Sequence, residues 1–193
     1  MEKSNGNKIN TSVFISGRGS NLKSLIKYSK KKSSPITIEL VISSNIKAKG
    51  LIYAKRSKIK SHVINYKKNN NSEKNLLKKL SNYKINLICL AGFMKILSKN
   101  FIKKFNKPIL NIHPSLLPKY KGLNTHDRVI KNKEKYSGST VHLVSSKLDS
   151  GKIILQKKIK VLKNENKKSL EKKILKMEHK LYPKAIKKFL ISL

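Results

Sequence analysis

The stretch Thr11-Ser12-Val13-Phe14-Ile15-Ser16-Gly17-Arg18-Gly19-Ser20-Asn21-Leu22 joins a short apolar, β-branched run to a pair of glycines. The run Thr11–Ile15 predicts a strand, and Leu22–Lys30 has the lysine-punctuated period of a helix. Between them, Gly17 and Gly19 allow a tight turn and a close approach of backbone N–H groups to a ligand. The helix N-terminus that follows favours an anion. Leu22 stands where a dinucleotide fingerprint wants a third glycine, and the Gly-Lys-Ser/Thr of a Walker loop is missing. A monophosphate fits this turn better, although an ordinary strand-to-helix turn with a Ser or Asn cap also accounts for it.

The same alternation continues outward. Ile36–Ser43 precedes helical Ala48–Arg56, and Ser61–Ile64 precedes Glu73–Leu80. Leu87–Leu90 and Ile109–Ile112 follow, with a helix expected around Lys99–Phe105 between them. Unbroken apolar runs of this kind suit parallel strands covered on both faces. Further on, Ser139–Val144 and Ile153–Val161 read as strands separated by Ser145–Lys152, too short for a crossover helix. The expected fold is therefore α/β: a single Rossmann-like, doubly wound, mostly parallel sheet that becomes mixed near the C-terminal end. A closing C-terminal helix is expected over Ser169–Leu193, with Ser169 as its N-cap and Pro183 as a kink or break. The length of 193 residues fits one domain spanning 1–193. Lys67–Asn71 is the only low-complexity stretch and is short enough to be expected as a surface loop.

Composition excludes some functions and tempts toward one. Apolar residues make up 38% of the chain, in runs too short to span a bilayer. Met1–Asn10 lacks the apolar stretch of a secretory signal, so a cytoplasmic protein is expected, without a membrane partner. Cys89, the single cysteine, lies inside an apolar run and reads as a small core residue. The formal charge of +37 invites a reading as a basic RNA-binding protein on the same fold. Yet the lysines are spread along the whole chain and accompany many Asn and Ile residues, the mark of a biased genome, and only 6% of residues are aromatic. No specific nucleic-acid partner is expected.

Two further motifs carry chemistry. Asn111-Ile112-His113-Pro114-Ser115-Leu116-Leu117-Pro118 sits at the C-terminal end of a predicted strand, where open parallel sheets place ligands. Strand alternation puts Asn111 and His113 on one side, a fixed N–H donor beside a titratable one, suited to an oxyanion developing on a carbonyl. Leu117–Pro118 is a candidate cis bond. Ser146-Lys147-Leu148-Asp149-Ser150-Gly151 connects two strands. Asp149 there is either a turn former or the carboxylate partner of His113, and spacing does not decide between them.

Taken together, Ser16–Leu22, Leu90–Leu97, Asn111–Tyr120 with Gly122, Thr140-Val141-His142, Leu148-Asp149 with Gly151, and Glu178-His179 with Tyr182-Pro183 resemble the phosphoribosylglycinamide formyltransferases. These are 10-formyltetrahydrofolate-dependent enzymes of de novo purine synthesis, and the resemblance spans nearly the whole chain. It implies direct attack of the glycinamide amine of GAR on the formyl carbon, through a tetrahedral oxyanion. Catalytic roles would fall on Asn111, His113 and Asp149. Gly19, Ser20 and Asn21 would hold the substrate phosphate, and Glu178 its ribose hydroxyls. Met94, Lys95, Ile96 and Leu97, with Val144 through Asp149, would line the site for the co-substrate 10-formyltetrahydrofolate. His142 would support the site from behind, no metal is implied, and a monomer or weak homodimer is expected. Departures include Leu175 and Met177, where the family often has glutamines, and Ser137 and Ser150 in place of His and Gly. An Arg near the folate tail is missing, with Lys67 or Lys68 as candidate replacements. A formyltetrahydrofolate hydrolase is the alternative enzyme reading.

Overall fold

The computed structural model describes residues 8–65 and 72–192. Among the described residues, seven strands form a sheet in the order β3-β2-β1-β4-β5-β6-β7. The chain divides into two compact units, Met1–Lys95 and Ile96–Leu193.

In the first unit, β1 (Ile9–Ile15) pairs in parallel with both β2 (Ile36–Ser43) and β4 (Leu87–Leu90). The short β3 (Lys60–Val63) lies parallel to β2 at the edge. The helices α1 (Ser20–Ser29), α2 (Leu51–Arg56) and α3 (Ser72–Asn82) alternate with these strands. All four residues of β4 are buried, as are Val13, Phe14 and Ile15 of β1, which is why these runs are continuously apolar. Cys89 is fully buried among them. Each of α1 and α3 buries one narrow stripe, Leu22, Leu25 and Ile26 in α1 and Leu76 and Leu80 in α3, and turns its lysines outward.

In the second unit, α4 (Lys99–Phe105) matches the expected span because Ser98 caps it, its hydroxyl accepting the Phe101 N–H at 3.0 Å. β5 (Ile109–His113) pairs antiparallel with β6 (Tyr136–Leu143), and β6 pairs antiparallel with β7 (Ile153–Lys160). The short helix α5 (Thr125–Lys131) was not anticipated. Its N-cap Asn124 is left-handed, at φ 56°, and makes no side-chain cap. The closing helix α6 (Lys167–Ile191) starts earlier than expected. Asn166 is the N-cap and Ser169 is the third helical residue; the two side chains cap each other's backbone N–H groups. Nor does Pro183 split the helix, which runs unbroken through it. Buried Leu181, Tyr182, Ala185 and Ile186 on either side hold both halves to the core, and the Tyr182 hydroxyl donates to the Leu110 carbonyl at 2.9 Å. Met177, where the family often has a glutamine, packs with Val129, Leu170 and Ile174.

The β6–β7 connection is tight. A Cβ on Gly151 would lie 1.8 Å from the Leu143 carbonyl oxygen. Gly151→Ala should therefore destabilise the protein by about 2 kcal/mol, within the usual range for overpacking. That is a loss of roughly 4–8 °C in Tm for a chain of this size, readable by calorimetry.

Candidate active site

Asn111 and His113 lie two residues apart on β5, so their side chains share a face while Ile112 points into the core. The β5–β6 register sets Asn111 opposite His142 and His113 opposite Thr140. Asp149 comes from the β6–β7 connection, in a left-handed conformation at φ 45°. Its carboxylate faces both histidines. Oδ2 lies 3.4 Å from His113 Nδ1, and Oδ1 lies 3.6 Å from His142 Nε2. Oδ2 also accepts the Gly122 N–H at 2.9 Å, and Oδ1 accepts a longer bond, 3.4 Å, from the Asn111 amide. The side chains of His113 and Asp149 are each only 7% exposed, so these contacts are little screened by water.

Backbone carbonyls place the protons. A carbonyl only accepts, so His113 Nε2 carries the hydrogen that it donates to Tyr120 O at 2.9 Å. For the same reason His142 Nδ1 donates to Leu143 O at 2.8 Å. In the neutral rings, His113 Nδ1 then turns a lone pair toward Asp149, and His142 Nε2 accepts from Asn111 Nδ2 at 3.2 Å. Burial pushes the His113 pKa below its ordinary value; the Tyr120 carbonyl and Asp149 oppose this only in part, while His142 and Arg128 add to it. Burial alone would raise Asp149, but His142, the Gly122 N–H and the nearby His113 outweigh it and hold the carboxyl below the usual range. At neutral pH the pair is thus a carboxylate facing an uncharged imidazole.

The sign of the linkage is the same for both groups. A histidine with a depressed folded pKa contributes stability that is present above about pH 6.5 and lost as pH falls below it. A carboxyl with a depressed pKa keeps its contribution down to about pH 4 and loses it only below that. Acid therefore erodes this site through His113 first.

In the first unit, the glycine turn is held from two sides. Gly19 is the N-cap of α1 at φ 72°, so no cap side chain competes for the first N–H groups of the helix. A Cβ there would sit 2.5 Å from the Gly50 Cα, and Gly50 N–H donates to Gly17 O at 3.0 Å. Glycine at 19 meets both demands, a left-handed backbone and contact with a second backbone. The Ser16 hydroxyl lies 2.6 Å from that of Ser44 and accepts the Met94 N–H at 2.8 Å.

Residues 9–186 match the family model described as formyl transferase. The chain is 39% identical over 180 residues to phosphoribosylglycinamide formyltransferase of Haemophilus influenzae, covering 92% of this chain and 85% of that one. The chain belongs to the phosphoribosylglycinamide formyltransferase family. A crystal structure of phosphoribosylglycinamide formyltransferase from Brucella melitensis matches with a TM-score of 0.90 and 39% identity, covering 95% of this chain and 96% of that one. The human trifunctional purine biosynthetic protein adenosine-3 is 40% identical over 93% of this chain, which spans only 18% of that protein.

Within this chain, Asn111, His113 and Asp149 come together. His142, expected behind the site, touches both Asn111 and Asp149. The Tyr120 carbonyl and the Gly122 N–H were not anticipated as contacts. The Thr140-Val141-His142 run was the available signal for His142, because strand alternation sets Thr140 and His142 on one face. Glu178 is 5% exposed, and Ser139 Oγ lies 3.2 Å from its carboxylate and 2.8 Å from the His113 carbonyl. Met94 and Ile96 are exposed apolar side chains, 63% and 76%, whereas Leu97 is buried. The Leu117–Pro118 bond is cis. Lys67 and Lys68 lie outside the described residues. Among the described residues no group of His, Cys, Asp and Glu could hold a metal ion, and no helix is long and apolar enough to cross a membrane.

Proposed function

We propose that this chain transfers the formyl group of 10-formyltetrahydrofolate to the amine of 5'-phosphoribosylglycinamide, giving formyl-GAR and tetrahydrofolate in de novo purine biosynthesis. The observation that carries the reading is the Asp149 carboxylate held against His113 and Asn111 at the end of β5, in a chain of this family. Attack of the amine on the formyl carbon builds negative charge on the formyl oxygen and leaves a proton to be removed from nitrogen. The Asn111 N–H donates to that oxygen. The proton passes toward the His113–Asp149 pair, and once His113 holds it on Nδ1, the imidazolium balances the oxyanion while Asp149 balances the imidazolium. Collapse of the oxyanion then breaks the bond between the formyl carbon and the folate nitrogen, which takes up a proton in exchange for the one the amine lost and leaves as tetrahydrofolate.

Gly19, Ser20 and Asn21 hold the phosphate on first-turn N–H groups of α1, and Glu178 accepts from the ribose hydroxyls. Met94, Lys95, Ile96, Leu97, Val144 and Asp149 contact the folate. The whole chain, 1–193, works as one formyltransferase domain, a cytoplasmic monomer or weak homodimer, and its +37 charge has no dedicated nucleic-acid target. The test is a formyl-transfer assay with both substrates, following tetrahydrofolate and formyl-GAR. Purified protein should form the two in equal amounts and release no formate when GAR is left out. Formate release without GAR would assign a hydrolase instead.

A further inference from the structure

The four-residue turn Lys119–Gly122 touches both members of the proton-handling pair. Its Tyr120 carbonyl accepts from His113 Nε2, and its Gly122 N–H donates to Asp149 Oδ2. Tyr120 is left-handed at φ 57°, a conformation that a bulky residue adopts only when its surroundings impose it. The side chain supplies the constraint. Its hydroxyl donates to Glu134 Oε1 at 2.8 Å and accepts from Asn132 Nδ2 at 2.9 Å. The Arg128 guanidinium lies 5.0 Å from the ring centroid and donates to the Lys121 carbonyl at 2.7 Å. Lys119 also reaches Glu134, at 2.9 Å, so the anchor grips both the ring and the main chain beside it.

We propose that Tyr120 is a positioning residue: anchored on Arg128, Asn132 and Glu134, it holds its own carbonyl on His113 Nε2 and thereby keeps Nδ1 turned to Asp149 as the proton-accepting nitrogen. A proton on Nδ1 instead of Nε2 in the resting ring would already occupy the position that the reaction needs. The anchor stands outside the reacting groups and acts through one backbone carbonyl. The charged and titratable groups that bear on the His113 ring are Asp149, His142, Arg128 and His126. The Tyr120 carbonyl is the neutral contact that favours its protonated form.

The inference rests on the formyl-transfer reading for its kinetic arm only, so it is tested two ways in Tyr120→Phe and Glu134→Ala, each of which removes the Tyr120–Glu134 bond. In histidine-labelled protein, 15N spectra of the wild type should show His113 as the Nε2–H tautomer. Both variants should show an admixture of the Nδ1–H form and a His113 midpoint moved to lower pH. In the assay, kcat should fall about threefold to tenfold in each, the worth of one hydrogen bond, with KM for both substrates within about twofold. The double variant should be no worse than the poorer single one, because both remove the same bond. Wild-type tautomer and midpoint in both variants would overturn the proposal whatever the activity. A KM rise without a kcat loss would overturn it too. Absence of transfer by the wild-type protein would defeat the functional reading alone and leave the spectra to decide this one.

Discussion

An Asp149→Asn variant is expected to turn over about a thousandfold more slowly than the wild type, within the 10²–10⁴ range of a lost general acid–base group. The substitution keeps shape and one acceptor oxygen, so the Gly122 N–H retains a partner and Tm should change little. What disappears is the negative charge 3.4 Å from His113 Nδ1. In the proposed mechanism, that charge lets the ring take the amine proton and remain cationic beside the oxyanion. In the variant, an amide faces the ring, and the imidazolium forms without a counter-charge in a site that water scarcely reaches. The pH profile gives an independent check. Asp149 opposes the fall of the His113 pKa caused by burial, so its removal lets that pKa fall further. The acid limb of kcat/KM, already below the ordinary imidazole value of about 6.5, should move lower still. Normal turnover in this variant, or an acid limb that moves up, would remove Asp149 from the proposed mechanism.

The parts of this arrangement that sequence could supply were those written in local pattern. β2, β4 and α4 fall on the expected residues: β2 sets buried Ile36, Ile38 and Leu40 in alternation with Thr37 and Glu39, β4 is an unbroken apolar run, and α4 has a side-chain cap next to it. Asn111 and His113 share a face through strand alternation alone. The meeting of His113 with Asp149 depends on the β6–β7 connection folding back at a left-handed aspartate, and no spacing rule encodes that. The contacts of His142 depend on the antiparallel register of β5 and β6, a non-local quantity. Tyr120 was harder still to read, since its contribution is a backbone carbonyl whose direction is fixed by a ring gripped from α5 and the residues after it. Sequence alone does not place the N-cap of α6, because Asn166 and Ser169 are both capping residues, and only the geometry shows which stands outside the helix. α5 leaves little trace in the sequence, being a seven-residue helix without a side-chain cap and with two buried positions, Thr125 and Val129.

Asn111→Ala should lower kcat by about 10²–10³, the usual effect of removing one oxyanion donor, and leave KM for both substrates nearly unchanged. The proposed mechanism needs a donor at Asn111, and the hydrogen bonds around it leave its nitrogen, not its oxygen, on the side of Asp149 and His142. His142 donates through Nδ1 to Leu143 O, which leaves Nε2 as an acceptor in the neutral ring, and the Asn111 amide meets it with its nitrogen. One N–H is thereby spent on His142. The other points toward Asp149 Oδ1 over a long 3.4 Å, a weak contact that an oxyanion with full charge can displace. Ground-state substrate, with only a polarised carbonyl, gains less from the exchange, so the interaction favours the transition state. Asn111→Asp sharpens the test, because it keeps the shape and puts a second carboxylate beside Asp149. Its kcat should fall below that of Asn111→Ala, as repulsion of the oxyanion adds to the lost donor. An Asn111→Ala variant whose whole loss lay in KM would make Asn111 a ground-state binding group and leave the oxyanion to His113 alone.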